Sequence, residues 1–295
     1  MKLLHRYTID GLNLLGGYWE GKSKDTCVVF THGMYDNLIE NVFANVLGEE
    51  LSKKGYGFIF GHNRGHGVIN NIIVRNSVTD KAETKIIGSV FEKFGESIYD
   101  VDLWVEEAVK LGYSKIILAG HSFGCLKNLF YLSKKGCSRI DGLIFLSAPD
   151  TVGLINRSEE YSRIFAEAEK SIANGRTKKI LSKKLLGVFP ISARTYYNFR
   201  KGSSADIFPL VENPEDFGIF KKINKPMLMI LADKDSIIVN TPEKDLEILE
   251  KKASKCRDFT GKIIEDSTHR YIKKETELSS VVLNWLNERF KAEEK

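Results

Sequence analysis

The chain is predicted to adopt an α/β fold: a mostly parallel sheet with helices on both faces, interrupted once by an inserted segment. Three observations carry that prediction. Short apolar runs alternate with amphipathic stretches long enough for helices, the signature of strand–helix–strand units. Several of those runs, such as Cys27-Val28-Val29-Phe30, are continuously apolar, as expected of strands buried on both faces. The alternation stops after Ala148-Pro149-Asp150 and resumes at Pro226, so the interval is read as an insertion between two strands of one sheet.

The elements follow in order. Leu4–Ile9 and Leu12–Trp19 are strand candidates, and Asp10-Gly11 between them is a hairpin signal. After the buried run at Cys27, the spacing of Phe43, Leu47 and Leu51 predicts a helix over Leu38–Lys54, closed by Gly55. Tyr56–Phe60 reads as a strand, and the region around Arg64-Gly65-His66-Gly67 as a long polar loop. Helix Ser97–Leu111, strand Lys115–Ala119, helix Ser122–Lys134 and strand Asp141–Ser147 come next. Weak helical patterns at Glu159–Ala173 and Lys178–Leu186 fall in the insertion. The closing alternation is Pro226–Leu231, Pro242–Ser254, Phe259–Ile264 and Leu278–Phe290. The expected organisation is a core of residues 1–150 and 225–295 with an inserted cap over 151–224.

Composition narrows the class. With 42% apolar and 28% charged residues in 295, the chain can bury a real core and is not a disordered or fibrous protein. The net charge of +5 is modest but uneven. From Ser171 to Ala205 there is no acidic residue, whereas Arg176, Lys178, Lys179, Lys183, Lys184, Arg194, Arg200 and Lys201 all fall there. No zinc-finger spacing or aromatic–basic interleaving accompanies them, so nucleic acid is not an expected partner. The bland reading is a solvated face; a carboxylate- or phosphate-bearing substrate, or an anionic membrane surface, is the sharper one. No transmembrane segment and no signal-peptide core are expected. Cys27, Cys125, Cys137 and Cys256 are widely spaced with no C-x-x-C, which suits free thiols in a reducing compartment, and the expected location is the cytoplasm. Nothing in the pattern indicates an oligomeric state.

The strongest chemical signal is Gly120-His121-Ser122-Phe123-Gly124, a G-x-S-x-G placed after a strand pattern and before a helical one. So tight a turn demands very small side chains two before and two after the serine, and it projects the hydroxyl from the sheet edge. Amides of the helix start are then available to a developing oxyanion. A phosphate-binding loop is disfavoured at this turn, since no G-K-[ST] follows it and no G-x-G-x-x-G fingerprint is present.

A serine hydroxyl needs a base, and imidazole suits that role near neutral pH. Of six histidines only His269 lies beyond Ser122, in a loop after the last strand candidate. The acid is expected after an intervening strand, and Ala232-Asp233-Lys234-Asp235 follows Met227–Leu231. Asp235 is the choice; Asp150 is the runner-up, Glu265 and Asp266 are local alternatives, and Asp233 is expected to brace the turn. The backbone amides of Phe123 and Met34 are the expected oxyanion donors, with Gly33 as the neighbouring alternative. His32 is expected to fold back as a hydrogen-bonding brace and His121 to be structural or pocket-lining. His62 and His66 have no carboxylate at a metal-ligand spacing, so neither a metal nor any other cofactor is expected.

Thr31-His32-Gly33, Asn63-Arg64-Gly65-His66-Gly67, the Ser122 pentapeptide, Asp235 and His269 together resemble the α/β-hydrolase superfamily. Within it the chain is similar to small serine carboxylesterases, acylglycerol lipase-like and feruloyl-esterase-like proteins. The resemblance implies an eight-stranded, mostly parallel sheet, a cap inserted after the sixth strand, and Ser122, Asp235 and His269 as a triad. Two positions depart from the pattern. His62-Asn63 stands where an aspartate usually precedes Arg-Gly-x-Gly, and Ala232 replaces a common glycine. The function expected is hydrolysis of a small or medium carboxylic ester through an acyl-enzyme. An amidase, peptidase or acyltransferase with the same triad, and a non-enzymatic binding protein on the same fold, are the alternatives. Phe189, Tyr196, Tyr197, Phe199 and Phe208 are candidates for an apolar pocket under the cap.

Overall fold

Residues 1–76, 79, 81–157 and 159–290 are described by the structure, a computed structural model. The expected second core segment, 225–295, therefore extends past them at 291–295, and the expected cap includes residue 158, also outside them. The chain opens with strands β1 (Lys2–Tyr7), β2 (Asn13–Trp19) and β3 (Thr26–Thr31), followed by helix α1 (Val42–Lys53) and strand β4 (Gly57–Gly61). Strands β5 (Asn70–Arg75) and β6 (Ala82–Ile87) form a separate two-stranded sheet, and Val74 of β5 also bridges Leu12. Helix α2 (Ser97–Lys110), strand β7 (Lys115–His121), helix α3 (Phe123–Lys135) and strand β8 (Gly142–Leu146) complete the first half. Helices α4 (Thr151–Ile155), α5 (Glu159–Ala173) and α6 (Ala193–Tyr197) precede β9 (Met227–Ala232), α7 (Pro242–Lys252), β10 (Phe259–Ile264) and α8 (Glu275–Phe290).

Eight strands form one sheet in the order β1-β2-β4-β3-β7-β8-β9-β10. β1, β2 and β4 pair antiparallel, and every pairing from β4 through β3 to β10 is parallel. The two-residue period of a strand divides its side chains between the two faces. In β3, Cys27 and Val29 join the core under α2 and α3, whereas Val28 and Phe30 join the core under α1 and α8. Ile116 and Leu118 against Ile117 and Ala119 repeat the division in β7. Burial on both faces is why these strands read as unbroken apolar runs.

The parallel strands all end at one edge, with Thr31 in register with Gly120 and His121 with Leu146. The loops carrying His32, Ser122, Ser147 and Asp235 leave that edge, as does the loop after β10 with His269. The region between β8 and β9 is an inserted, largely helical segment consistent with a cap. Among the described residues no helix is long and apolar enough to cross a membrane.

Two parts differ from the sequence-based expectation. Lys178–Leu186 is not helical: Ile180 bridges Ser192 and Leu185 bridges Phe189, both antiparallel, around a turn at Leu186-Gly187. Leu181 and Leu185 both point inward, so a four-residue apolar spacing that imitates a helix here arises from a bent extended segment. The polar region before α2 holds the β5–β6 hairpin, which rests on the β1–β2 turn through the Arg75 amide donating to the Gly11 carbonyl at 2.9 Å.

Candidate active site

The turn at Ser122 is built by close backbone approach. Ser122 sits at φ 53° and ψ −130°, a strained conformation for a residue with a side chain, and its amide donates to the Leu146 carbonyl at 2.9 Å. A Cβ on Gly124 would lie 2.1 Å from the Thr31 carbonyl oxygen, so only glycine fits where α3 crosses the end of β3. A Cβ on Gly33 would lie 2.9 Å from the Ser122 Cβ and 3.3 Å from its Oγ. The loop after β3 therefore passes directly beside the serine hydroxyl.

Met34 and Phe123 line the same cavity as Ser122. Among the described residues, the amides of Met34 and Phe123 have no protein acceptor. For Phe123 this follows from its place at the first position of α3, where amides lack an intrahelical partner. His32 braces the loop beneath: its Nδ1 donates to the Gly33 carbonyl at 2.8 Å and its Nε2 accepts from the Asn63 amide at 3.1 Å. Burial holds His32 well below the usual histidine pKa, so the ring is neutral and suited to accept on one side and donate on the other.

His269 and Asp235 are brought together from separate loops. The Nδ1 of His269 donates to Oδ2 of Asp235 at 2.8 Å, and Oδ1 of Asp235 accepts from the Ile237 amide at 3.0 Å. Burial alone would raise the Asp235 pKa, but the His269 hydrogen bond and charge, with the Ile237 amide, leave it below the usual carboxylate range. Asp235 is thus an anion with its acceptor sites engaged. Ser147, at φ 47°, exchanges a 2.9 Å hydrogen bond with the hydroxyl of fully buried Tyr271 and lies against the same carboxylate. Tyr271 also donates to the Ile230 carbonyl at 3.2 Å, tying the His269 loop to the floor of the sheet.

The other acidic candidates are engaged elsewhere. Asp150 caps α4, accepting from the Gly153 amide at 2.7 Å and from the Val211 amide at 3.0 Å. Asp266 pairs with Lys234, and Glu265 is exposed. Asp233 accepts from the Ser267 amide at 2.8 Å, bracing the turn between β9 and the His269 loop.

His121 is buried, and its Nε2 donates to the main-chain carbonyl of His269 at 2.8 Å. Burial, with the neighbouring His269 ring adding a like charge, pushes its pKa down to about 3. Arg64 lies deeper, with its guanidinium bonded to Asp100 at 2.9 Å and joined by Asp10 and Glu96. Among the described residues no group of three or more His, Cys, Asp or Glu is arranged to hold a metal ion.

Ser122, His121 and His269 open into a cavity of about 170 Å³. Its walls are mainly apolar: Leu154, Ile155, Leu185, Leu186, Phe189 and Phe199 come from the inserted segment, and Tyr35 and Ile237 from loops of the sheet edge. Tyr35 stacks on Phe189 with ring centroids 4.2 Å apart and donates to the Pro190 carbonyl at 2.9 Å, joining the two walls. Of the aromatic candidates, Phe189 and Phe199 line the cavity, whereas Tyr196 and Phe208 are buried in packing and Tyr197 stacks on Phe165. Sequence reasoning passed over Tyr35, Ser147, Arg270 and Tyr271. The position of Tyr271 two residues after His269 was the only local hint.

Several solved structures share the fold. An esterase from Pyrococcus furiosus, Pf2001, is 18% identical with a TM-score of 0.63, over 98% of this chain and 91% of that one. Est1E from Butyrivibrio proteoclasticus, solved with ferulic acid bound, is 17% identical with a TM-score of 0.63, over 97% and 98%. A thermophilic esterase from Thermogutta terrifontis, solved with malate bound, is 15% identical with a TM-score of 0.60, over 99% and 100%. At these identities the likeness is one of fold alone. No curated protein matches the chain. Residues 99–290 match a family model described as a protein of unknown function, DUF1749. That match spans well over half of the chain, which therefore belongs to the DUF1749 family.

Proposed function

We propose that this protein is a serine hydrolase that cleaves a carboxylic ester of a small or medium acyl group through an acyl-enzyme. The observation that carries the reading is the Asp235–His269 hydrogen bond at 2.8 Å, placed in the cavity onto which the strained Ser122 turn opens. The esterase folds named above support it as relatives in architecture.

In this reading Ser122 attacks the acyl carbonyl while Nε2 of His269 accepts its proton. Asp235 fixes the tautomer, since a carboxylate that accepts from Nδ1 leaves Nε2 free to act as base. The amides of Met34 and Phe123, with Gly33 beside them, face the oxygen as it gains charge. His269 then protonates the leaving alcohol and activates water to release the acid. No step needs a cofactor. The inserted segment, taken as a cap over 151–224, supplies the apolar wall that receives the acyl chain.

The testing experiment is a panel of p-nitrophenyl esters of increasing chain length, run with matched anilides and with added alcohols as acceptors. Ester hydrolysis lost in Ser122→Ala is the expected result. Anilide cleavage at comparable rates would make the protein an amidase, and transfer product outrunning hydrolysis would make it an acyltransferase.

A further inference from the structure

We infer that the rim of the cavity docks on an anionic lipid surface, so that the substrate is an acyl ester drawn from a membrane or lipid aggregate. The substrate class rests on the hydrolase reading; the docking does not.

The first observation is the turn Leu185–Phe189. It is closed by the Leu185 amide donating to the Phe189 carbonyl at 2.7 Å and by the Phe189 amide donating to the Leu185 carbonyl at 3.0 Å. Leu185 and Phe189 face the cavity, while Val188 at the tip is 61% exposed. Leu186 lines the cavity mouth, is itself exposed, and takes φ 52°, a left-handed conformation that β-carbon sterics disfavour. A strained leucine and an exposed valine at a turn tip do nothing for the folded core. They are placed where an apolar phase outside the molecule would cover them.

The second observation is charge. Lys183 and Lys184 immediately precede the tip, and Arg176 and Lys178 lie in the turns between α5 and the segment leading to it. All four are exposed and have no acidic partner among the described residues, whereas Lys179 is taken up by Glu167. These cations flank an apolar tip and do not converge on a hollow. A soluble anion would need converging donors; a laterally extended surface that is both anionic and apolar matches side-by-side lysines and hydrophobes.

The third observation is the part of the rim at Arg270. Arg270, a cavity-lining residue, donates to Asp36 and to the Glu40 carbonyl, each at 3.2 Å, and so joins the two loops there. Those loops expose Ile39 at 74% and Ile272 at 59%. Exposed apolar side chains thus stand on the loops that Arg270 joins as well as on the Leu185–Phe189 turn.

The test is sedimentation of full-length Ser122→Ala protein with vesicles of phosphatidylcholine alone and with phosphatidylglycerol mixed in. Binding is expected to the anionic vesicles and to weaken with added salt. Lys183→Gln with Lys184→Gln should weaken it roughly 30-fold, from about fivefold per lysine near such a surface. Val188→Asp should abolish stable binding. The thermal melt of the Ser122→Ala chain should be unchanged by Val188→Asp, which shows that the chain is still folded. Equal partitioning onto both vesicle types, no binding to either, or indifference to these substitutions would overturn the proposal. Because the binding assay uses an inactive serine variant, its result stands even if no ester is ever hydrolysed.

Discussion

The Nε2–H of His121 donates to the main-chain carbonyl of His269 at 2.8 Å, so the residue before the proposed nucleophile holds the loop of the proposed base. The two rings lie 4.7 Å apart, and His121 stays neutral because burial pushes its pKa down to about 3. A charged neighbour would oppose formation of the imidazolium on His269; a neutral donor steadies it without that cost. His121 is therefore a positioning residue. His121→Ala is predicted to lower kcat about 5- to 10-fold, the worth of one hydrogen bond of about 1 kcal/mol, with KM little changed. His121→Gln, which carries an amide N–H toward the same carbonyl, should recover part of the loss. An unchanged kcat in the alanine variant would remove this role.

Asp235→Asn keeps the shape of the acid but presents an amide to Nδ1. The imidazole then favours the wrong tautomer, and kcat/KM for an ester should fall by about 10⁴-fold while the folded state persists. Activity within tenfold of the parent would return the acid to another carboxylate, with Asp150 tested next.

The two close-approach glycines separate folding from chemistry. At Gly124 the blocking atom is the Thr31 backbone oxygen, which cannot rotate away, so Gly124→Ala should cost about 3 kcal/mol or more and yield little folded protein. At Gly33 a methyl group meets Ser122, so Gly33→Ala should fold yet lose about 100-fold in kcat. Thermal melts beside ester assays read both effects, and the reverse pattern would contradict this picture of the turn.

Stability should fall as the medium is acidified from pH 7.5 to about 5.5. His62 and His121 are both held near pKa 3 by burial, whereas in the unfolded chain they titrate near 6.5. The unfolded state therefore binds more protons as pH drops through 6.5, and each group withdraws up to about 1.4 kcal/mol per pH unit below that point. Denaturant midpoints at several pH values check this. A midpoint that holds steady or rises on acidification would contradict it.

Much of this arrangement is legible in the sequence because it depends on local sterics and chain order. The Ser122 turn needs glycine at two fixed positions, and the strands that lead to it are buried on both faces, so both leave clear patterns. What escaped depends on contacts distant in the chain. Ser147 and Tyr271 meet across the sheet, and nothing near Ser147 announces it. The β5–β6 pair is short and mostly solvated, and its one apolar run, Ile72-Ile73-Val74, is only three residues long, shorter than those of the central strands. In Lys178–Leu186 the inward spacing of Leu181 and Leu185 imitates a helix, and the left-handed turn at Leu186-Gly187 is what excludes one.

The central claim is that Ser122 is a nucleophile activated by His269. Labelling of the folded protein with a fluorophosphonate, followed by mass spectrometry of the modified peptide, tests it most directly. The account predicts a single adduct on Ser122, lost in Ser122→Ala and slowed at least 100-fold in His269→Ala. An unlabelled Ser122 in protein shown to be folded, or labelling indifferent to His269, would contradict it.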